Sequence, residues 1–288
     1  MSLRDDRLAY AYMAPAAFWL IIFMGLPILD VARTSLYHTS YKGEHFVGLG
    51  NFLNLATDET FHLVLRNTAV WTFCGVVLNV CLGLGASLLL NKRTWINEVL
   101  KAGMVLAWST PLVVAAIGWK WMLNGEYGHL NSLLLSLHFI DTPIHWLTGA
   151  NTAFAGGLVA RLWTALPFTT FAFLSALQTV PKSLYEASAI DGASAWQQFR
   201  HVTFPTIRPV SLAVLLISVI WSFNSFVFVY VITGGGPANQ TQILVTEIFR
   251  RAFGYFNFGE ASALALFAFL ILLGASLLQW RFLYRREI

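Results

Sequence analysis

The sequence predicts an all-α polytopic membrane protein with six transmembrane helices. Apolar residues make up 57% of its 288 positions and charged residues only 11%, whereas a soluble domain carries about a quarter charged. Mean hydropathy is +0.64. Six apolar runs each reach the roughly 20 residues that a helix needs to cross a bilayer. Basic residues collect in the short connections on one side of those runs.

The runs cover about residues 8–30, 64–90, 99–121, 153–178, 205–232 and 260–282, in one integral domain spanning 1–288. The first, from Leu8 to about Leu29, exceeds the roughly 7–15 apolar residues of a cleaved leader and predicts an uncleaved span. The second carries Gly75, Asn79, Gly83 and Ser87 at four-residue steps, a small and polar face suited to helix packing, including packing against a second subunit. Pro15, Pro27, Pro111 and Pro167 fall inside runs, which membrane helices tolerate where neighbours satisfy the freed carbonyls. Cys74 and Cys81 are seven positions apart. On a helix that is about 10 Å of rise, beyond the roughly 7 Å Cα limit of a disulfide, so both are expected to be free thiols. Trp19, Trp71, Trp95, Trp119, Trp121, Trp146 and Trp280 sit mostly near run ends and are expected as interfacial anchors.

With the amino terminus inside, one side holds Arg4, Arg7, Lys92, Arg93, Lys101, Lys182, Arg200, Arg208, Arg281, Arg285 and Arg286. That is 11 of the 18 Lys and Arg, and the bias predicts both termini in the cytoplasm. The outer connections, about 31–63, 122–152 and 233–259, are longer. The formal net charge of +4, with no dense basic stripe, suits a membrane surface and gives no basis for nucleic-acid binding.

One polar segment, 182–204, interrupts the apolar pattern. Ser183 and Glu186 have capping-box spacing, and Ser194 and Gln197 repeat it. Asp191-Gly192 between them is a turn signal. Two short cytoplasmic helices joined at Gly192 are therefore expected, with Pro205 in the first turn of the fifth span. Small residues at Ala187, Ser188, Ala189, Gly192, Ala193 and Ala195 would let another backbone approach closely, as for a short helix set in a partner's groove.

Glu186-Ala187-Ser188, Gly192, then nine residues to Val202-Thr203-Phe204-Pro205 resembles the Glu-Ala-Ala loop of binding-protein-dependent ABC importer permeases. Ser188, Val202 and Phe204 are mild departures from Ala, Ile and Leu, and the spacing is intact. Gly48-Leu49-Gly50-Asn51-Phe52, Trp163 with Pro167-Phe168, Thr233-Gly234-Gly235-Gly236-Pro237 and Phe258-Gly259-Glu260-Ala261-Ser262-Ala263 look like the carbohydrate-uptake, maltose-type branch. The resemblance implies a multi-pass chain of a bacterial or archaeal cell membrane. It implies a second, similar permease, two cytosolic ATPase subunits and an external solute-binding protein as partners. Glu186, Ala187, Ser188, Asp191 and Gly192 would then form the ATPase-coupling surface. ATP and Mg would be held by the ATPases, and no cofactor by this chain.

A sugar path needs hydroxyl-binding side chains and an aromatic face. Ser218, Trp221, Ser222 and Ser225 fall at i, i+3, i+4 and i+7, with Asn224 beside them. Arg161, Thr164, Ala165 and Phe168 make a second stripe on the fourth span. Serines and small residues also glue membrane helices together, but maltose-type permeases place sugar contacts on these two helices. Arg161 is either a cavity cation or, about eight residues into its span, a side chain that snorkels to the outer surface. No cluster of Lys or Arg lines the stripes, which points to a neutral di- or oligosaccharide. Arg161 leaves a glycerophosphodiester or sugar phosphate as the alternative cargo.

No Gly-x-x-x-x-Gly-Lys-Ser/Thr phosphate loop is present, so ATP hydrolysis is not expected of this chain. His38, His45, His62, His129, His138, His145 and His201 never form a His-Glu-x-x-His pattern, and no catalytic residues or metal ligands are assigned. An ion-coupled secondary transporter would need ionisable residues near the midplane and similar halves. Arg161 alone lies away from the run ends.

Overall fold

The computed structural model describes residues 3–40 and 43–284. The regular structure of the described residues is helical apart from one small ribbon. Helix α1 (Leu3–Leu20) passes through a π-helical turn (Ile21–Gly25) into α2 (Leu26–Thr34). Strands β1 (Tyr37–Ser40) and β2 (Gly43–Phe46) pair antiparallel with Tyr37 opposite Phe46. There follow α3 (Gly50–Thr57), α4 (Glu59–Leu90), α5 (Trp95–Ser109), α6 (Leu112–Met122), α7 (His129–Ser136) and α8 (Ala150–Gln178). Then come α9 (Lys182–Ile190), α10 (Ala195–Gln198), a π turn (Phe199–Thr203) and α11 (Phe204–Phe223). The chain closes with α12 (Phe226–Phe228), a π turn (Val229–Thr233), α13 (Leu244–Phe249), a π turn (Arg250–Gly254) and α14 (Phe258–Tyr284).

Among the described residues five segments are long and apolar enough to cross a membrane: Tyr12–Thr34, Glu59–Leu90, Ala150–Gln178, Ala195–Thr233 and Phe258–Arg281. The third apolar run, expected as one helix over 99–121, is instead the pair α5 and α6, bent by 104°; taken together they make a sixth. Pro111 supplies the reason. It has no N–H, and it forces the preceding Thr110 into extended backbone at φ −71, ψ 126. The hydroxyls of Ser109 and Thr110 donate to Leu106 O at 3.0 and 2.9 Å, covering a carbonyl near the break. Pro15 and Pro167 lie inside continuous helices.

The chain divides into two compact units, Met1–His62 with Glu247–Ile271, and Leu63–Thr246 with Leu272–Ile288. In the first, buried Asn51 donates to Ser35 O and Tyr37 O at 2.8 and 2.9 Å. Gly259 donates its N–H to Thr39 Oγ1 at 2.8 Å, and a Cβ there would strike Tyr37 O. Only glycine lets these backbones meet.

In the second unit α4, α5, α6, α8 and α11 enclose the core. Trp71, expected as an interfacial anchor, is 1% exposed and packs with Leu123, Leu158, Ile232 and Ile243. Its indole fits there because Gly157 on α8 leaves space over the ring. The small face of α4 also packs within this unit. A Cβ on Gly75 or Gly83 would collide with Ser222 Oγ or Thr169, and Asn79 Nδ2 donates to Thr169 Oγ1 at 2.7 Å and Ser218 Oγ at 3.1 Å. A second core cluster joins Phe173, Leu177, Ile207 and Val214, with Tyr185 and Val202 against it. Cys74 and Cys81 are free thiols. Arg285 and Arg286 of the basic tail lie outside the described residues.

Candidate functional site: a cavity between two broken helices and an exposed loop helix

The α8–α11 connection builds one part of the site. Helix α9 begins after Pro181, which takes the N-cap position and makes no side-chain cap bond, so the expected Ser183–Glu186 capping box does not form. Proline's fixed φ starts the helix one residue before Ser183 can cap it. Its end matches the expected turn: Gly192 has φ +75, its N–H donates to Ala189 O at 3.1 Å, and Ala193 N–H donates to Ser188 O at 2.9 Å. This pair of bonds is the Schellman arrangement, which needs a left-handed residue where Gly192 stands. The Ser194–Gln197 capping box forms in both directions, at 2.7 and 3.4 Å.

The second loop helix does not stop before the fifth span, as the sequence had suggested. α10 runs through the π turn directly into α11. Pro205 cannot donate to His201 O, and a locally widened helix accommodates a missing i→i−4 bond. Tyr185 Oη and Thr203 Oγ1 share a hydrogen bond at 2.8 Å, pinning α9 to this turn. Glu186, Ala187, Asp191 and Gly192 are exposed. Ser188 is half-buried and donates to Tyr185 O at 2.8 Å. Ile190 is 87% and Trp196 68% exposed on the same loop.

The other part is a cavity of about 530 Å³. It lies where two spans lose their helical backbone: α5–α6 at Thr110-Pro111, and the fifth span at Asn224-Ser225, where α11 ends. Irregular backbone at membrane depth is tolerated where it lines a cavity. Arg161, Thr164, Trp221, Asn224 and Ser225 all line it. Phe168 stands behind, its ring 4.8 Å from Trp221 and 6.2 Å from Trp108.

Ser218 and Ser222 lie elsewhere. Both are buried against α4, Ser218 as the acceptor for Asn79 and Ser222 over Gly75. The break at Asn224 separates Ser225 from the helical stripe that the spacing suggested. Ser225 Oγ donates to Trp221 O at 3.1 Å and accepts from Arg161 Nε at 3.0 Å. Arg161 is 3% exposed, so it does not snorkel to the surface. Trp108, Thr110 and Pro111 also line the cavity; the Ser109-Thr110-Pro111 run was their only sequence signal.

A buried ion network in the first unit went unforeseen. Arg251 Nη1 reaches Glu260 Oε2 at 2.7 Å, its Nη2 pairs with Asp58, and Arg250 Nη2 reaches Glu247 Oε2 at 2.7 Å. Burial pushes the Asp58 carboxyl up, but Arg251 and the Thr60 and Phe61 backbone outweigh this and hold it below its ordinary value. Burial likewise opposes the Arg251 charge, and Asp58 and Glu247 overcome that and raise its pKa. Glu247, Arg250 and Arg251, at i, i+3 and i+4, were the available clue. Among the described residues no three His, Cys, Asp or Glu side chains converge as a metal site.

Membrane-length helices around a cavity with two backbone breaks, joined by an exposed loop helix, define a multi-pass membrane transport subunit. The chain belongs to the binding-protein-dependent transport system inner membrane component family, whose model matches residues 79–286. It is similar to a probable ABC transporter permease protein of Brucella suis, 36% identical over 287 residues and covering 99% of each chain. It is also similar to the trehalose/maltose transport system permease protein MalF of Thermococcus litoralis, 34% identical and covering 94% of this chain and 91% of that one. A solved bacterial alginate ABC transporter, in complex with an alginate pentasaccharide-bound periplasmic protein, has a chain of the same fold. Its TM-score is 0.83 at 19% identity, covering 98% of this chain and 96% of that chain.

Proposed function

We propose that this chain is the membrane-spanning subunit of an ATP-driven importer that moves a sugar, a di- or oligosaccharide, delivered by an extracytoplasmic solute-binding protein. It acts as one permease domain beside a second, similar permease, with both termini in the cytoplasm. Two cytosolic ATPase subunits hold the nucleotide and Mg. The observation that carries this reading is the exposed α9 hook, ended by a left-handed Gly192 and joined without interruption to the fifth span. A sugar-system permease among the relatives supports the substrate class.

Glu186, Ala187, Ser188, Asp191 and Gly192 form the coupling surface. The cavity residues Arg161, Thr164, Trp221, Asn224 and Ser225, with Phe168 behind them, form the substrate path; Ser218 and Ser222 support it through α4. Closure of the ATPase dimer draws the two loop hooks together and opens the cavity toward the binding protein, and hydrolysis resets it. Trp221 is 44% exposed and offers a flat face for a sugar ring, while Thr164, Asn224 and Ser225 offer hydroxyl partners.

The test is reconstitution of the complete importer in proteoliposomes, with uptake and ATP hydrolysis measured together. Glu186→Ala and Gly192→Asp are expected to lower uptake per ATP hydrolysed while the subunits still co-purify. Unchanged coupling in both variants would remove the loop from this role. Absence of any ATPase subunit from the purified complex would reject the importer assignment.

A further inference from the structure

Among the described residues two arginines are buried, and their surroundings differ sharply. Arg251 meets three carboxylates, Asp58, Glu247 and Glu260. Arg161 meets none. Its single hydrogen bond goes from Nε to the neutral Ser225 hydroxyl, and Nη1 is buried without an acceptor. The cavity it lines contains no Asp or Glu. A buried guanidinium is always charged and strongly favours a planar, paired acceptor.

The cost of such a cation is large unless something compensates it. The fold does nothing to avoid it. Gly75 on α4 packs beside Arg161 Nη1, where a Cβ would stand in ordinary van der Waals contact at 3.5 Å, and it has no side chain to offer that nitrogen an acceptor. Ser225, at the break of the fifth span, fixes Nε. The arginine is thus held by neutral groups at the wall of an aromatic cavity that lacks its counter-charge.

We propose that the transported sugar carries an acidic substituent, a carboxylate, sulfonate or phosphate, and that Arg161 supplies its counter-charge while Trp221 faces the ring. This inference rests on the assignment of the cavity as a sugar path. The anion completes the bonding of the guanidinium on arrival, so a neutral sugar of the same shape leaves Arg161 unpaired and is disfavoured.

The test uses the complete importer in proteoliposomes with three radiolabelled probes: a neutral disaccharide, its uronic acid counterpart and a sugar phosphate. The wild type is expected to take up an acidic probe in preference to the neutral one. R161Q is expected to lower the acidic-to-neutral uptake ratio at least tenfold, with R161K, which keeps the charge but not the planar fork, recovering part of it. Carboxylate and phosphate probes separate the two kinds of anion. Uptake confined to the neutral sugar overturns this inference alone, and needs no variant. Equal losses for acidic and neutral probes in R161Q also overturn it, assigning the charge to a structural role. Uptake of no sugar at all overturns the sugar assignment itself.

Discussion

Arg251 donates from Nε to Glu247 Oε1 at 2.8 Å, joining the π turn after α13 to the preceding turn of the same helical segment. Through its other nitrogens the guanidinium also reaches the residue before α4 and the first turn of α14. One side chain therefore orients three chain segments. Removing it leaves Glu247, 1% exposed, with Arg250 but without Arg251. Breaking a buried pair from one side costs about 3–5 kcal/mol. Arg251→Met and Glu247→Gln should each lower the unfolding midpoint in detergent by an amount in that range, and the double variant should cost less than their sum. Additive losses would show that the two residues do not act as a pair.

The same network sets an acid limit. The Asp58 carboxyl is held below its ordinary value, so folding is favoured by its ionised form. A depressed folded pKa contributes stability that is fully present above the unfolded value of about 3.9 and is lost as pH falls through the folded one. Stability should be insensitive to Asp58 from neutral pH down to about 5 and should decline below about 4. Asp58→Asn should remove that part of the acid dependence. The check is a series of thermal unfolding midpoints between pH 3 and 7 for both proteins.

Two serines with identical spacing make different predictions. Ser194 caps α10 through a two-way box with Gln197, whereas Ser183 lies inside α9 behind Pro181. Ser194→Ala should cost about 0.5–2 kcal/mol locally, seen as faster amide exchange over 194–198. Ser183→Ala should leave α9 exchange unchanged.

Gly83 and Gly85 offer a paired control on one helix. A Cβ at Gly83 would strike Thr169, yet at Gly85 nothing lies within 4 Å. Gly83→Val should overpack the α4–α8 contact and cost about 1–3 kcal/mol. Gly85→Ala should be neutral or stabilising by up to about 1 kcal/mol, because alanine restores helix propensity. Unfolding in detergent under identical conditions compares them.

Long apolar runs were legible because a bilayer-length helix needs little more than length and composition, and that signal survives without any tertiary information. The left-handed turn at Gly192 and the Ser194 cap were legible because both are local. What escaped depends on neighbours. Pro111 breaks its span while Pro167 does not, and Ser109 and Thr110 beside it indicate why only in hindsight. Trp71 resembles an interfacial anchor until Gly157 is seen to make room for its ring. Ser218 and Ser222 share the Trp221 stripe by spacing, but α4 covers their side of the helix. The Arg251 network joins residues as far apart as Asp58 and Glu260, and the short polar stretch carrying α13 reads as an ordinary outer loop.

The continuity of α10, the π turn and α11 makes the fifth span a mechanical lever. From Ala195 to Phe223 the rod is roughly 40 Å long at about 1.5 Å per residue. A tilt of only about 5° about one end would sweep the other by roughly 3–4 Å, given that length. The far end is where Trp221 and Asn224 form the cavity wall, and the helix breaks just beyond it at Asn224-Ser225. A displacement applied at the loop would thereby pass along one continuous helical segment to the wall of the cavity.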